Sequence, residues 1–135
     1  MHELIITYQK KQMKEKILRW APRVLTILAL LFMLMFSFDV FEENAPFSRK
    51  MLGFLIHNIP VLVLTVFLII AWFQELIGGM LFILAFLIAA IVFKSFSGNP
   101  GSLIVIIPFL ITGILFIFHN QLYGEHQHRN PGDVR

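Results

Sequence analysis

The 135-residue chain contains no cysteine. Disulfides, thiolate nucleophiles and Cys-ligated zinc or iron–sulfur centres are thereby excluded. Charge is the second scarcity. Asp, Glu, Lys and Arg make up 14% of the residues, where an ordinary soluble domain carries about 25%. The deficit is concentrated in four stretches, Val24 to Phe38, Met51 to Phe73, Leu76 to Phe93 and Leu103 to Phe118, which hold none of the four charged types. A bilayer-spanning helix needs about 20 consecutive apolar residues. The pattern therefore predicts an all-α integral membrane protein, a four-helix antiparallel bundle forming one domain over residues 1–135. Its helices are expected at about 20–40, 51–73, 76–94 and 102–120, between a basic N-tail (1–19) and a polar C-tail (121–135). No catalytic, metal or nucleotide motif is present, so the reading is of a non-enzyme without a resident cofactor.

What charge there is lies at the ends. Lys10, Lys11, Lys14, Lys16, Arg19 and Arg23 precede the first apolar run. Basic residues there suit anionic headgroups, at roughly 1 kcal/mol each near the surface, rather than a nucleic acid. Leu4, Ile5, Ile6, Met13 and Ile17 are interspersed with them, as in a short amphipathic helix lying on the membrane surface. Pro22 is placed to open the spanning helix, where its missing N–H costs nothing, and Trp20 falls at headgroup level. With the N-terminus inside, eight Lys and Arg flank the cytoplasmic ends of the spans and three flank the outer ends. That asymmetry predicts a plasma-membrane protein with both termini cytoplasmic.

Polar residues within or beside the spans are the candidates for function. The first uncharged run has 15 residues and reaches about 22 Å at 1.5 Å per residue. Asp39 is thus expected at or just inside the membrane boundary, in need of a partner. His57, about five residues into the second run, is the natural one. An Asp39–His57 pair would relay a proton, and a helix-locking hydrogen bond from a neutral imidazole is the alternative. Glu75 opens the third run, where a carboxylate complements a helix N-terminus. It is expected either to pair with Arg19 or Arg23 or to titrate in a cytoplasmic vestibule. Asp39, His57, Asn58 and Lys94 form an outer layer, and Arg19, Arg23, Trp72, Glu75 and His119 an inner one. His57 and His119 lie about 20 Å apart in depth, too far to share one metal or haem within a protomer. Gly78-Gly79 and Gly113 read as packing surfaces, and His126-x-His128 as a weak metal-binding pair in the tail.

At Leu55-Ile56-His57-x-x-Pro60 and Ala71-Trp72-x-x-Glu75-Leu76-Ile77-Gly78-Gly79, the chain resembles a family of small four-span bacterial and archaeal membrane proteins of unknown function. The resemblance runs from about Lys16 to Leu122 and includes Arg19-Trp20 and Asp39-Val40-Phe41. It implies a prokaryotic cytoplasmic membrane and supplies no activity. Small multidrug transporters also have four spans, but use a Glu in the middle of the first. Here that stretch reads Ile27-Leu28-Ala29-Leu30-Leu31-Phe32. The leading expectation is a structural or accessory membrane component, partnered by a second copy of itself or by another membrane protein. The runner-up is a small transporter or proton-linked permease using His57, Asp39 or Glu75.

Overall fold

A computed structural model describes residues 1–42 and 44–124. Among these residues there are four α-helices and no strand: α1 (His2–Ser37), α2 (Phe47–Phe73), α3 (Glu75–Val92) and α4 (Leu103–Tyr123). Each is long and apolar enough to cross a membrane. The links are short, which makes successive helices antiparallel neighbours. Around the bundle α1 packs on α2, α2 on α3, α3 on α4, and α4 back on α1. The His126-x-His128 pair lies outside the described residues.

The first helix departs from expectation. The N-tail and the first span are one continuous helix of 36 residues, about 54 Å long. Residues 2–21 are rich in Lys, Gln, Glu, Leu, Ile and Met, good helix formers with no glycine or proline among them. Pro22 therefore stands inside the helix rather than at its start. There it removes one backbone donor, while Thr26 Oγ1 donates to its carbonyl at 2.7 Å. At the far end α1 stops at Ser37 and passes into a 3-10 turn over Phe38–Glu42. Helix α2 begins four residues before its apolar run, with Pro46 as N-cap. The carbonyl of Pro46 accepts from the N–H groups of Arg49 and Lys50.

The buried stripe of every helix repeats at three or four residues. On α1 it is Arg23, Thr26, Leu30 and Ser37; on α4 it is Phe109, Thr112, Phe116 and His119. Leu30, Leu64, Leu68, Ala71, Phe82, Phe109 and Phe116 make the main core. Within it Phe82 stacks on both Phe109 and Phe116, with ring centroids 6.2 Å apart in each pair. Two hydroxyl contacts tie the apolar layers together. The Thr26 and Thr112 hydroxyls lie 3.1 Å apart, in hydrogen-bond contact between α1 and α4. Ser37 donates to the Asn58 side-chain oxygen at 3.1 Å between α1 and α2.

Two glycine contacts set the helix spacing on the α3 side. Gln74 alone separates α2 from α3, so the helices leave their turn in close contact. A Cβ at Gly78 would lie 2.2 Å from Ala71 Cβ and 2.3 Å from its Cα. Deeper in, a Cβ at Gly79 would meet the Gly113 carbonyl oxygen at 2.8 Å, and one at Gly113 would meet that of Gly79 at 2.7 Å. The third link ends α3 in a Schellman closure, Lys94 N–H to Ile91 C=O and Ser95 N–H to Ala90 C=O. Lys94 takes the left-handed φ of 50° usually held by glycine.

Gly78→Ala has to push backbone apart, so it should destabilise by about 1–3 kcal/mol. Gly98→Ala, with nothing within 4 Å of the new Cβ, should leave stability nearly unchanged. Reversible unfolding in mixed micelles measures both.

Candidate functional site

Charged side chains gather at the end of the bundle where α2 turns into α3. Arg23 comes from the middle of α1, Glu75 is the first residue of α3, and His119 lies in the last turns of α4. The α1 and α4 residues lie on the buried stripes of their helices, which is why both polar heads point inward. Arg23 is 4% exposed and His119 7%. Arg23 Nη2 donates to Glu75 Oε1 at 2.9 Å, and His119 Nδ1 lies 2.5 Å from Glu75 Oε2. Arg23 Nη1 donates to the Arg19 carbonyl one turn back. An ionised carboxylate only accepts, so His119 Nδ1 carries a proton toward it.

The cluster has an aromatic surround. The Arg23 guanidinium lies 5.2 Å from the Trp72 ring centroid and 5.6 Å from that of Phe116, within cation–π range. Trp20 meets Trp72 edge-on at 6.1 Å, and Tyr123 lies 5.1 Å from the His119 ring. One guanidinium thus joins α1 to a carboxylate on α3, and that carboxylate holds α4 through an imidazole. The α1–α3 link crosses the diagonal of the bundle.

An open cleft of about 800 Å³ leads to this cluster, with Arg19, Arg23, Trp72, Glu75, His119 and Tyr123 among its walls. It stops there. Thr26, Thr112 and Phe116, one turn deeper, do not line it, and Phe82 and Phe116 are fully buried behind it. The cleft lining includes no Ser or Thr hydroxyl to act as nucleophile. Among the described residues no three His, Asp or Glu side chains come together as a metal site.

The other two candidates are placed elsewhere. Asp39 lies beyond the end of α1 in the 3-10 turn, and His57 lies on α2; both are exposed. Among the described residues no hydrogen bond or ion pair joins them, so the structure does not bring together the expected Asp39–His57 pair. Asn58 makes the α1 contact instead, through Ser37, and its amide donates to the Phe54 carbonyl at 2.8 Å. Asn58 is turned by about 100° from His57 around the helix, and that rotation decides which of them meets α1. His57 shares the spacing of Val61, Leu64 and Leu68, yet it is exposed.

Glu75 sits at the start of α3 and pairs with Arg23 rather than Arg19. Depth in the sequence had placed His119 in the same layer without a role. The signal that identifies it is its register, ten residues after Phe109 and three after Phe116 on the buried stripe of α4.

Removing the Glu75 charge leaves the Arg23 guanidinium buried without a counter-ion, which costs about 3–5 kcal/mol. Glu75→Gln should therefore unfold at markedly lower denaturant, while Glu15→Gln at the cleft rim should change the midpoint little. Chemical denaturation of the purified variants checks this.

No curated protein and no solved structure matches the chain. A family model described as a domain of unknown function, DUF7670, matches residues 9–131. That match covers nearly the whole chain, including all three residues of the ion cluster, and the chain belongs to the DUF7670 family.

Proposed function

We propose that the chain is a four-span integral protein of a prokaryotic plasma membrane, with both termini cytoplasmic, that acts as a structural or accessory component. The observation that carries this reading is the state of Glu75. Both of its oxygens are taken, one by Arg23 and one by His119. A carboxylate neutralised in this way locks helices together, and a passing cation would have to displace Arg23 to claim its charge. Behind it the bundle is filled by Phe82, Phe109 and Phe116.

The membrane reading rests on the four apolar helices and on the outward display of large side chains such as Leu28, Leu31, Leu62, Val66, Leu87 and Ile114. In water such a surface is an aggregation site; in lipid it is the normal exterior. The orientation rests on the eight-to-three distribution of Lys and Arg. At about 54 Å, α1 exceeds the roughly 30 Å hydrocarbon layer. Its first turns, with Lys10, Lys11, Lys14 and Lys16, then reach the anionic headgroups or the cytoplasm.

One observation favours the transporter alternative: Glu75 lines a cleft open on one side. Transport would need that cleft to continue past Phe116, and neither Asp39 nor His57 lines it. As an enzyme site the cleft offers no Ser or Thr hydroxyl, and of its two carboxylates Glu75 is held in the lock and Glu15 stands apart from it. Partner choice is then the function to seek, either a second copy or a different membrane protein.

Because the chain has no cysteine, single cysteines report topology directly. In intact cells a membrane-impermeant maleimide should label Ser97→Cys and leave Gln9→Cys unlabelled until the membrane is opened. Equal labelling of both in intact cells would contradict the spanning arrangement. Native mass spectrometry of protein taken gently from its own membrane should then show a reproducible partner polypeptide or homo-oligomer. A lone monomer whose liposomes carry an ion flux would reverse the choice in favour of transport.

A further inference from the structure

The cleft has one feature that the helix lock does not use. Its wall includes Gln74, Glu75, Leu76 and Ile77, the whole first turn of α3. The first intrahelical donor of α3 is Gly78 N–H, to the Gln74 carbonyl. The N–H groups of Glu75, Leu76 and Ile77 precede it and point out of the helix end. No side chain caps them, and among the described residues no other acceptor meets them. Backbone donors at a helix N-terminus, with the positive end of the macrodipole behind them, bind anions.

Two further groups in the same wall point to a ligand. His119 is more than nine-tenths buried, and its Nε2 is the one buried side-chain nitrogen or oxygen among the described residues without a hydrogen-bond partner. Arg19 lines the cleft as well. Its carbonyl is engaged by Arg23, while its guanidinium makes no hydrogen bond or ion pair among the described residues. The Glu75 charge is already matched by the Arg23 guanidinium. Glu15, also in the wall, weighs against a dianion and leaves room for a singly charged group beside Arg19.

We propose that this cleft is a binding site for a phosphate group, held by the Arg19 guanidinium, the free N–H groups at the start of α3 and, with the ring as an imidazolium, the unpartnered Nε2–H of His119. A phospholipid headgroup is one source of that chemistry and a free phosphate is the other. The lipid source rests on the membrane reading given above; the site itself does not. Trp20 and Trp72 stand beside the cleft, and Trp is the side chain most at home at headgroup level.

The test uses the full-length protein in an uncharged detergent at constant ionic strength. Tryptophan fluorescence and the melting temperature are followed while inorganic phosphate, phosphatidylglycerol or phosphate-free diacylglycerol is added. Phosphate or phosphatidylglycerol should shift the fluorescence and raise the melting temperature, and diacylglycerol should do neither. A response to inorganic phosphate identifies a soluble ligand; a response to phosphatidylglycerol alone identifies the headgroup. Arg19→Gln should weaken the response about tenfold, the loss of one charge-assisted hydrogen bond. Arg19→Lys should recover part of it, and Lys14→Gln, outside the cleft, should change it less than about twofold. Since only the backbone of Arg19 serves the fold, its variants should melt like the parent without ligand. Absence of any response, or a response that Arg19→Gln leaves intact, would overturn the site. The phosphate arm needs no bilayer, so its outcome is independent of the cysteine labelling that decides the membrane reading.

Discussion

A guanidinium keeps its charge even when buried to 4% exposure, so it is tolerated inside only with a counter-ion beside it, and at Arg23 that counter-ion arrives on a different helix. Taking an ion out of water costs several kcal/mol even after relaxation. The pair therefore contributes less as net stability than as a constraint: arrangements that separate α1 from α3 leave a bare charge inside. The same carboxylate, through its second oxygen, extends that constraint to α4. Three of the four helices thus converge on one residue, Glu75, at one end of the bundle.

The rest of the packing is compatible with that point and dependent on it. Helix α2 is brought to α3 by the single-residue turn at Gln74 and the absent side chain of Gly78. Helix α3 lies against α4 through Gly79 and Gly113, whose missing Cβ atoms let carbonyls approach to contact. In the membrane setting proposed above there is little hydrophobic drive between helices, so such close van der Waals contacts and a few polar ties supply the association. The Thr26–Thr112 and Ser37–Asn58 bonds continue along the α1 stripe that Arg23 begins. One helix face therefore carries a graded series, from an ion pair at one end to neutral amide and hydroxyl contacts at the other. The ionic end is also the wet end, where the cleft opens and the charge can be partly solvated.

Much of this was legible from one sequence, and what was not has a physical reason. Four helices follow from the uncharged runs, and the roles of Gly78, Gly79 and Gly113 from residue size alone. The length of α1 was obscured because Pro22 reads equally as a helix start and as a tolerated interior residue; the strong helix formers before it decide for the latter. The site needed two coordinates, depth and rotation. Depth alone paired Glu75 with an arginine correctly and placed His119 in the right layer. It also matched Asp39 with His57, which are both exposed. Rotation separates these cases: His119 follows Thr112 and Phe116 on a buried stripe, whereas α1 ends before Asp39 and the chain turns there.

The most direct measurement of the lock is a double-mutant cycle on Arg23→Gln and Glu75→Gln, with unfolding free energies of the parent, both single variants and the pair. If the two side chains form one ionic unit, the double variant loses less than the sum of the single losses. A coupling of about 1–3 kcal/mol is expected, the range for residues in direct contact. Additive losses would show that Arg23 and Glu75 act independently, and would contradict the view that a single buried carboxylate holds α1, α3 and α4 in register.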